Sequence, residues 1–183
     1  MPVPVLAVQI LWINLVTDTA MVIPLGLEPG ESDVMRRKPR KPNKPILGKV
    51  VISRMIFIAA VMATVTLSLF HYFNQFMSED YARTIAFSAL VVMQWADAFN
   101  GRSLWQSIFI RIKTMNKAFY VGLTIAVVTQ MLALFGPLQG VLSLEPISVQ
   151  HFLITTVIAM APIIAAGELH KFFIIKKIDP DFR

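Results

Sequence analysis

The sequence predicts an all-α protein, a multi-pass membrane helix bundle of five transmembrane helices, and three observations predict it. Charged residues make up only 15% of the chain, whereas soluble domains contain about 25%. Apolar residues make up 56%. Several stretches without Asp, Glu, Lys or Arg reach the roughly 20 residues that a helix needs to cross the hydrocarbon core. These stretches are too long and too uniformly apolar for barrel strands, so we expect helices.

The predicted spans are joined by short connections and one long basic loop. The spans cover residues 3–27, 50–74, 82–100, 117–136 and 148–172. The loop 28–49 contains four prolines and seven Lys or Arg residues, a composition typical of an extended segment in water. The tail 173–183 is also basic.

Charge asymmetry predicts the orientation. With five crossings, 16 of the 17 Lys and Arg residues lie on one side of the membrane. The positive-inside rule places the loop 28–49 and the C-terminus in the cytoplasm, and the N-terminus outside. We therefore expect a cell-membrane protein whose partner is the lipid bilayer. Because this bias explains the basic excess, we expect no nucleic-acid partner.

Polar side chains inside the first span predict a cation site. Asn14, Thr17 and Asp18 are spaced i, i+3 and i+4, which places them on one face of an α-helix. Amide, hydroxyl and carboxylate oxygens are hard ligands that suit Ca²⁺ or Na⁺. An acid within a span is costly to insert and is by default a functional candidate. The alternative is that Asn14 and Thr17 join neighbouring helices while Asp18 pairs with a base elsewhere.

The third span adds a second polar pair, Gln94 and Asp97. If Asp97 and Asp18 face one cavity, a bound cation relieves the repulsion between them. The alternative is that Asp97, one turn from the cytoplasmic end, is solvated. Since Ca²⁺ prefers six to eight oxygens, further ligands are expected from helices outside this chain.

Two other features predict structure. Glu168 and Lys171 are spaced i and i+3 and are expected to pair at the end of the last span. Apolar residues between 102 and 113 fall on one helical face, which indicates a short interfacial helix, or alternatively a buried loop.

The sequence contains no recognisable catalytic or cofactor-binding site. There are no cysteines, and neither a glycine-rich phosphate loop, a nucleophile elbow nor a His-Glu-x-x-His zinc motif is present. We therefore expect that the chain does not itself hydrolyse ATP.

Three segments carry a resemblance to a known family. QILWINLVTD at 9–18, LGLEP at 25–29 and SDVMRRKPRKPNKPI at 32–46 resemble the sixth membrane helix and the following cytoplasmic loop of type II P-type cation-transporting ATPases. The resemblance extends over residues 1–183, whose spans look like the sixth to tenth helices of that family.

The resemblance implies ligand roles. In calcium pumps of this family the residues matching Asn14, Thr17 and Asp18 bind the transported ion. At the eighth-helix position this chain has Gln94, as plasma-membrane-type calcium pumps do. The string Gln94-Trp95-Ala96-Asp97 instead looks like sodium/potassium pumps, in which the matching Asp takes part in a sodium site. Asn14 argues against the sodium/potassium subgroup, so Ca²⁺ is favoured and Na⁺ is the alternative.

The resemblance also implies partners. The family's first five helices and its phosphorylation, nucleotide and actuator domains lie outside this sequence, and Mg²⁺ and ATP would act only through them. The loop 28–49 would contact the phosphorylation domain. Where the family commonly has Gly-Leu-Pro after its ligand Asp, this chain has Thr19-Ala20-Met21, with Pro24 later, so the unwound segment is expected to be shifted or shortened. The alternative function is a non-enzymatic membrane scaffold subunit. A passive channel has no support in the sequence.

Overall fold

The computed structural model describes residues 2–30, 35, 47–104, 106–114 and 116–174, with the backbone alone at residues 17, 18 and 174. Regular structure in these residues is entirely helical, with no strand. The predicted all-α class is confirmed.

The first span is a helix in three parts. It runs through α1 (Ala7–Trp12), a π-helical segment that we call π1 (Ile13–Asp18), and α2 (Thr19–Gly26). The remaining elements are α3 (Lys49–Phe76), α4 (Glu79–Gly101), α5 (Ile108–Arg111), α6 (Lys117–Phe135), α7 (Val149–Leu169) and a second π-helical segment, π2 (His170–Ile174).

Side-chain caps fix where three of these helices begin. The side-chain oxygens of Ser78, Asn116 and Ser148 accept hydrogen bonds from the backbone N–H groups three residues later, at 3.1, 3.2 and 3.1 Å. These caps satisfy backbone donors that the first turn leaves free. Polar cap residues thus mark the starts of α4, α6 and α7 at the ends of apolar stretches.

Four helices in the described part of the chain are long and apolar enough to cross a membrane. They cover Ala7–Gly26, Lys49–Phe76, Lys117–Phe135 and Val149–Phe173. The multi-pass character is therefore confirmed. The third predicted span corresponds to α4, which is long enough but contains more polar residues.

The helix α4 forms the centre of the bundle. Fourteen of its 23 residues are buried, and it packs between α3 and α7. Its large side chains Phe87 and Met93 are fully buried. In contrast, Ile56 of α3 and Val157 of α7 are 66% and 68% exposed. Because α3 and α7 shield α4, its polar residues need not face hydrocarbon, which explains its lower hydropathy.

The first span packs against α6 through a glycine. A Cβ at Gly122 would collide with the carbonyl oxygen of Ala20 and lie 2.5 Å from Pro24 Cγ. Proline has no N–H, so Pro24 leaves the Ala20 carbonyl without its donor in the helix. The close approach of α6 covers this free carbonyl, as small residues permit between membrane helices.

Candidate cation site

The first-span candidates lie on irregular backbone. The π1 segment contains Asn14, Thr17 and Asp18, so the i→i+4 hydrogen-bond ladder is interrupted there. The sequence pointed to weakening after Asp18, near Pro24. The structure instead keeps Pro24 inside α2 and places the irregular turn at the candidate ligands themselves. Single π-helical turns within α-helices occur frequently at functional sites.

The side chain of Asn14 is exposed in this chain. The adjacent Leu11 and Leu15 are also exposed, at 63% and 67%. For Thr17 and Asp18 only the backbone is described, so the predicted sharing of one cavity by Asp18 and Asp97 stays a prediction. This part of the first span therefore presents an exposed surface.

Gln94 lies on α4 and carries an unsatisfied acceptor. Its side-chain oxygen Oε1 is buried and has no hydrogen-bond partner among the described residues. A buried carbonyl oxygen without a donor is costly, and a bound cation would satisfy it. The neighbouring Trp95 Nε1 is also buried without a partner in that part of the chain. Gln94 is thus a fitting oxygen ligand.

Asp97, one turn further along α4, contacts a base. The Arg54 side chain of α3 reaches across, with Nη2 2.5 Å from Asp97 Oδ1 and 3.5 Å from the Asp97 carbonyl oxygen. The two side chains are only 15% and 28% exposed. The structure therefore gives the predicted ligand Asp97 an intramolecular cation, rather than the solvation that was the alternative.

More polar contacts surround this ion pair at the ends of α3 and α7. Ser53 Oγ lies 2.9 Å from His170 Nε2, and Lys171 Nζ lies 3.5 Å from Glu168 Oε1. The Glu168 oxygen also accepts a hydrogen bond from the backbone N–H of Ile108, at 2.8 Å. The predicted Glu168–Lys171 pair is confirmed. Glu168 also attaches α5 to α7 through its hydrogen bond with Ile108.

The role of Arg54 was missed in the sequence. The available signal was its position, as a lone basic residue several positions inside a predicted span. A buried base is a reason to look for an acid on a neighbouring helix.

A second buried polar cluster, which we call the Glu28 cluster, was also missed. One Glu28 oxygen lies 2.9 Å from Arg102 Nη2 and 3.2 Å from Arg111 Nη2, and the other accepts from Asn116 Nδ2 at 2.6 Å. Arg102 also stacks over Phe119, at 4.9 Å from the ring centroid. The Glu28 and Arg102 side chains are 9% and 0% exposed. The cluster joins the end of the first span to the segment between α4 and α6.

That segment also contains a helix, α5, which covers only four of the residues between 102 and 113. Ile108 is buried, while Phe109 and Ile110 are 69% and 61% exposed. The interfacial position of this segment stays a prediction. Trp105, part of the predicted apolar face, lies outside the described residues.

The donor chemistry suits a cation with oxygen ligands. As predicted ligands, Asn14 and Gln94 would offer amide oxygens, and Thr17 and Asp18 would add a hydroxyl and a carboxylate. Such ligands select Ca²⁺ or an alkali ion over soft metals. No group of three His, Asp or Glu side chains that could hold a metal occurs in the described ranges.

Fold and site together define a multi-pass helical membrane protein with polar groups and irregular backbone inside its spans, the general architecture of an ion transporter. The family model described as "Cation transporting ATPase, C-terminus" matches residues 2–173. The chain belongs to this family and forms the C-terminal membrane domain of a cation-transporting ATPase.

Three of the relatives are named as calcium-transporting ATPases. The calcium-transporting ATPase of Bacillus subtilis (strain 168) is 36% identical over 147 residues, covering 77% of this chain and 16% of the relative. Calcium-transporting ATPase 1 of Saccharomyces cerevisiae is 31% identical over 187 residues, covering 99% and 19%. Calcium-transporting ATPase type 2C member 2 of Mus musculus is 31% identical over 162 residues, covering 87% and 17%. The chain thus spans less than a fifth of the length of these relatives.

Proposed function

We propose that this chain is the cation-translocation part of an ATP-driven P-type pump, that the transported ion is Ca²⁺, and that Asn14, Thr17, Asp18 and Gln94 are ligands. The observation that carries the proposal is the π-helical turn at residues 13–18, which coincides with the cluster of oxygen-bearing side chains. The buried Gln94 oxygen on the central helix, which has no hydrogen-bond partner within the described part of the chain, supports it.

The pairing of Asp97 with Arg54 argues against a sodium-type site. A sodium-type site would use the carboxylate of Asp97, but Arg54 already neutralises that carboxylate. The three relatives described above are all named as calcium-transporting ATPases. The proposed ligands are too few to complete the six to eight oxygens around Ca²⁺. We assign the remaining ligands to N-terminal helices of the full pump.

In this proposal the chain binds and releases the ion, and other domains supply energy. ATP and Mg²⁺ act at cytoplasmic domains that lie outside this sequence. The loop 28–49 is proposed to contact the phosphorylation domain, and most of it lies outside the described residues. The Glu28 cluster fixes the end of the first span next to this loop, so a displacement of the loop would reach the ligands through α2.

The proposed orientation places the Glu28 cluster and the Arg54–Asp97 pair at the cytoplasmic end. Arg83, at the opposite end of α4, pairs with Glu79 and with Asp80, the latter at 2.6 Å. This local pairing offsets the charge of the one base that the proposal places outside.

The decisive experiment measures ATP-driven uptake of ⁴⁵Ca²⁺ into sealed vesicles by the full pump that contains this chain. Asp18→Asn is expected to weaken apparent Ca²⁺ affinity by more than about 100-fold, since even loss of outer-shell partners costs 10- to 100-fold. Asp80→Asn is the matched control, because Asp80 lies at the far end of α4 and its side chain is 66% exposed. Its uptake should match that of the unchanged pump.

Wild-type Ca²⁺ dependence in the Asp18→Asn pump would refute the proposal. Uptake of ²²Na⁺ in place of ⁴⁵Ca²⁺ would assign the sodium alternative. If neither ion is transported by the assembled protein, the scaffold alternative is supported.

A further inference from the structure

The Arg54 guanidinium lies against Asp97 in the position that a bound cation would take. The guanidinium lies 2.5 Å from the carboxylate oxygen and 3.5 Å from the carbonyl oxygen of the same residue. A carboxylate and a carbonyl oxygen are also the donors that a small hard cation would use. Arg54 thus occupies the side of Asp97 at which an ion would bind.

The charges around Asp97 are already balanced. Arg54 and Lys171 contribute two positive charges, and Asp97 and Glu168 contribute two negative charges. Lys171 interacts electrostatically with the other three groups, so the two pairs form one cluster. Adding a cation at Asp97 while Arg54 remains there would leave an uncompensated positive charge in a mostly buried site. Such a charge is costly in a low-dielectric environment.

Gln94 is separated from this pair by one helical turn, or about 4.5 Å of helix rise. Its oxygen Oε1 has no hydrogen-bond partner among the residues that the structure describes. This oxygen is neutral, so it can bind a cation without competing for the Arg54 guanidinium. The central helix therefore presents two different groups, a buried oxygen without a partner among the described residues and a carboxylate already paired with Arg54.

We propose that Arg54 is a tethered counter-ion that occupies Asp97 permanently, so that Asp97 binds no transported ion and the site consists of the first-span ligands and Gln94. This inference rests on the proposed function and deepens it, because it makes Arg54 a determinant of ion selectivity. Removal of Arg54 would free the Asp97 carboxylate for a monovalent cation from solution.

The test is a double-mutant cycle in the full pump, with ⁴⁵Ca²⁺ uptake measured with and without 100 mM NaCl and with choline chloride as the ionic-strength control. Arg54→Gln leaves Asp97 without its basic partner. Because Na⁺ bound at Asp97 would replace the missing positive charge, we expect NaCl to raise the Ca²⁺ uptake of this variant by about twofold when the freed site is half filled. Arg54→Gln/Asp97→Asn replaces the pair by neutral groups of similar shape. It should respond no more to Na⁺ than the unchanged pump and keep its Ca²⁺ dependence within about twofold.

Absence of cysteine provides a second measurement that does not depend on the cycle. In Arg54→Cys, a cationic aminoethyl methanethiosulfonate reagent restores a positive charge at this position, whereas a methyl reagent adds none. The cationic reagent should abolish the Na⁺ stimulation and the methyl reagent should not. The unchanged pump, treated in parallel, controls for cysteines elsewhere in the polypeptide.

The inference would be overturned if Arg54→Gln/Asp97→Asn lost Ca²⁺ affinity to the same extent as Asp18→Asn, because Asp97 would then be a ligand. It would also be overturned if the Ca²⁺ uptake of Arg54→Gln responded to NaCl no more than to choline chloride. The same holds if both reagents abolished the Na⁺ stimulation of Arg54→Cys equally. Failure of the proposed function has a different signature, namely an Asp18→Asn pump with unchanged Ca²⁺ uptake.

Discussion

Replacing Gly122 with alanine tests how the first span is held against α6. The new Cβ would lie 2.5 Å from Pro24 Cγ and closer still to the Ala20 carbonyl oxygen. Neither neighbour can rotate away, since one is backbone and the other belongs to a rigid ring. The two helices must therefore separate.

The size of the effect follows from these distances. Carbon atoms pack at about 3.5–4.0 Å, so relief at Pro24 requires a shift of about 1 Å or more. Overpacking costs about 1–3 kcal/mol, and the better helix propensity of alanine returns about 1 kcal/mol. With two rigid neighbours we expect the upper part of the range, a net loss of about 2 kcal/mol. That loss corresponds to a Tm lowered by about 4–8 °C for a chain of this size.

The assay is thermal unfolding of the purified protein in lipid nanodiscs, followed by tryptophan fluorescence. Gly26→Ala is the matched control, because Gly26 ends α2 and a Cβ there meets nothing within 4 Å. Its Tm should be equal to or above that of the unchanged protein. A Gly122→Ala protein that unfolds at or above the original Tm would refute the close packing of α6 on the proline-freed carbonyl.

Two more substitutions test the buried polar contacts. Glu28→Gln leaves Arg102 and Arg111 without their shared carboxylate. We expect the free energy of unfolding to fall by about 3–5 kcal/mol and trypsin to cleave the segment 102–116 faster. An unchanged digestion pattern would contradict this. Gly167→Ala places a Cβ 2.6 Å from Asn100 Oδ1 and displaces the Asn100 amide, which donates to a backbone oxygen of α7 at 2.9 Å. We expect thermal unfolding to show a stability loss of about 1–3 kcal/mol, which adding Asn100→Ala partly recovers. A loss without such recovery would show that the clash lies elsewhere.

Hydropathy predicted the helices because a membrane span must contain a long apolar stretch whatever its neighbours are. The same rule explains why α4 is less apolar, since it is enclosed by α3 and α7 and has no need to contact lipid. The predicted pairing of Glu168 with Lys171 is local and depends only on helical spacing, so it was accessible from the sequence.

Contacts distant in sequence could not be predicted in this way. Arg54 and Asp97 are 43 residues apart, and their meeting depends on how α3 and α4 are rotated against each other. Glu28 is 74 residues from Arg102 and lies at the border of a loop, where hydropathy says nothing about burial. The likeness of residues 94–97 to sodium/potassium pumps and the numbering of the spans as sixth to tenth stay predictions.

The first span is attached to its neighbours at two points, and both lie on the C-terminal side of π1. From residue 19 onward, α2 packs closely against Gly122 of α6, and its C-terminal end is held by the Glu28 cluster. Immediately before it lies π1, where the ladder is already interrupted. Since a stiff rod with one loose joint bends at the joint, strain arriving from the C-terminal end of α2 would be concentrated in the turn that contains Asn14, Thr17 and Asp18.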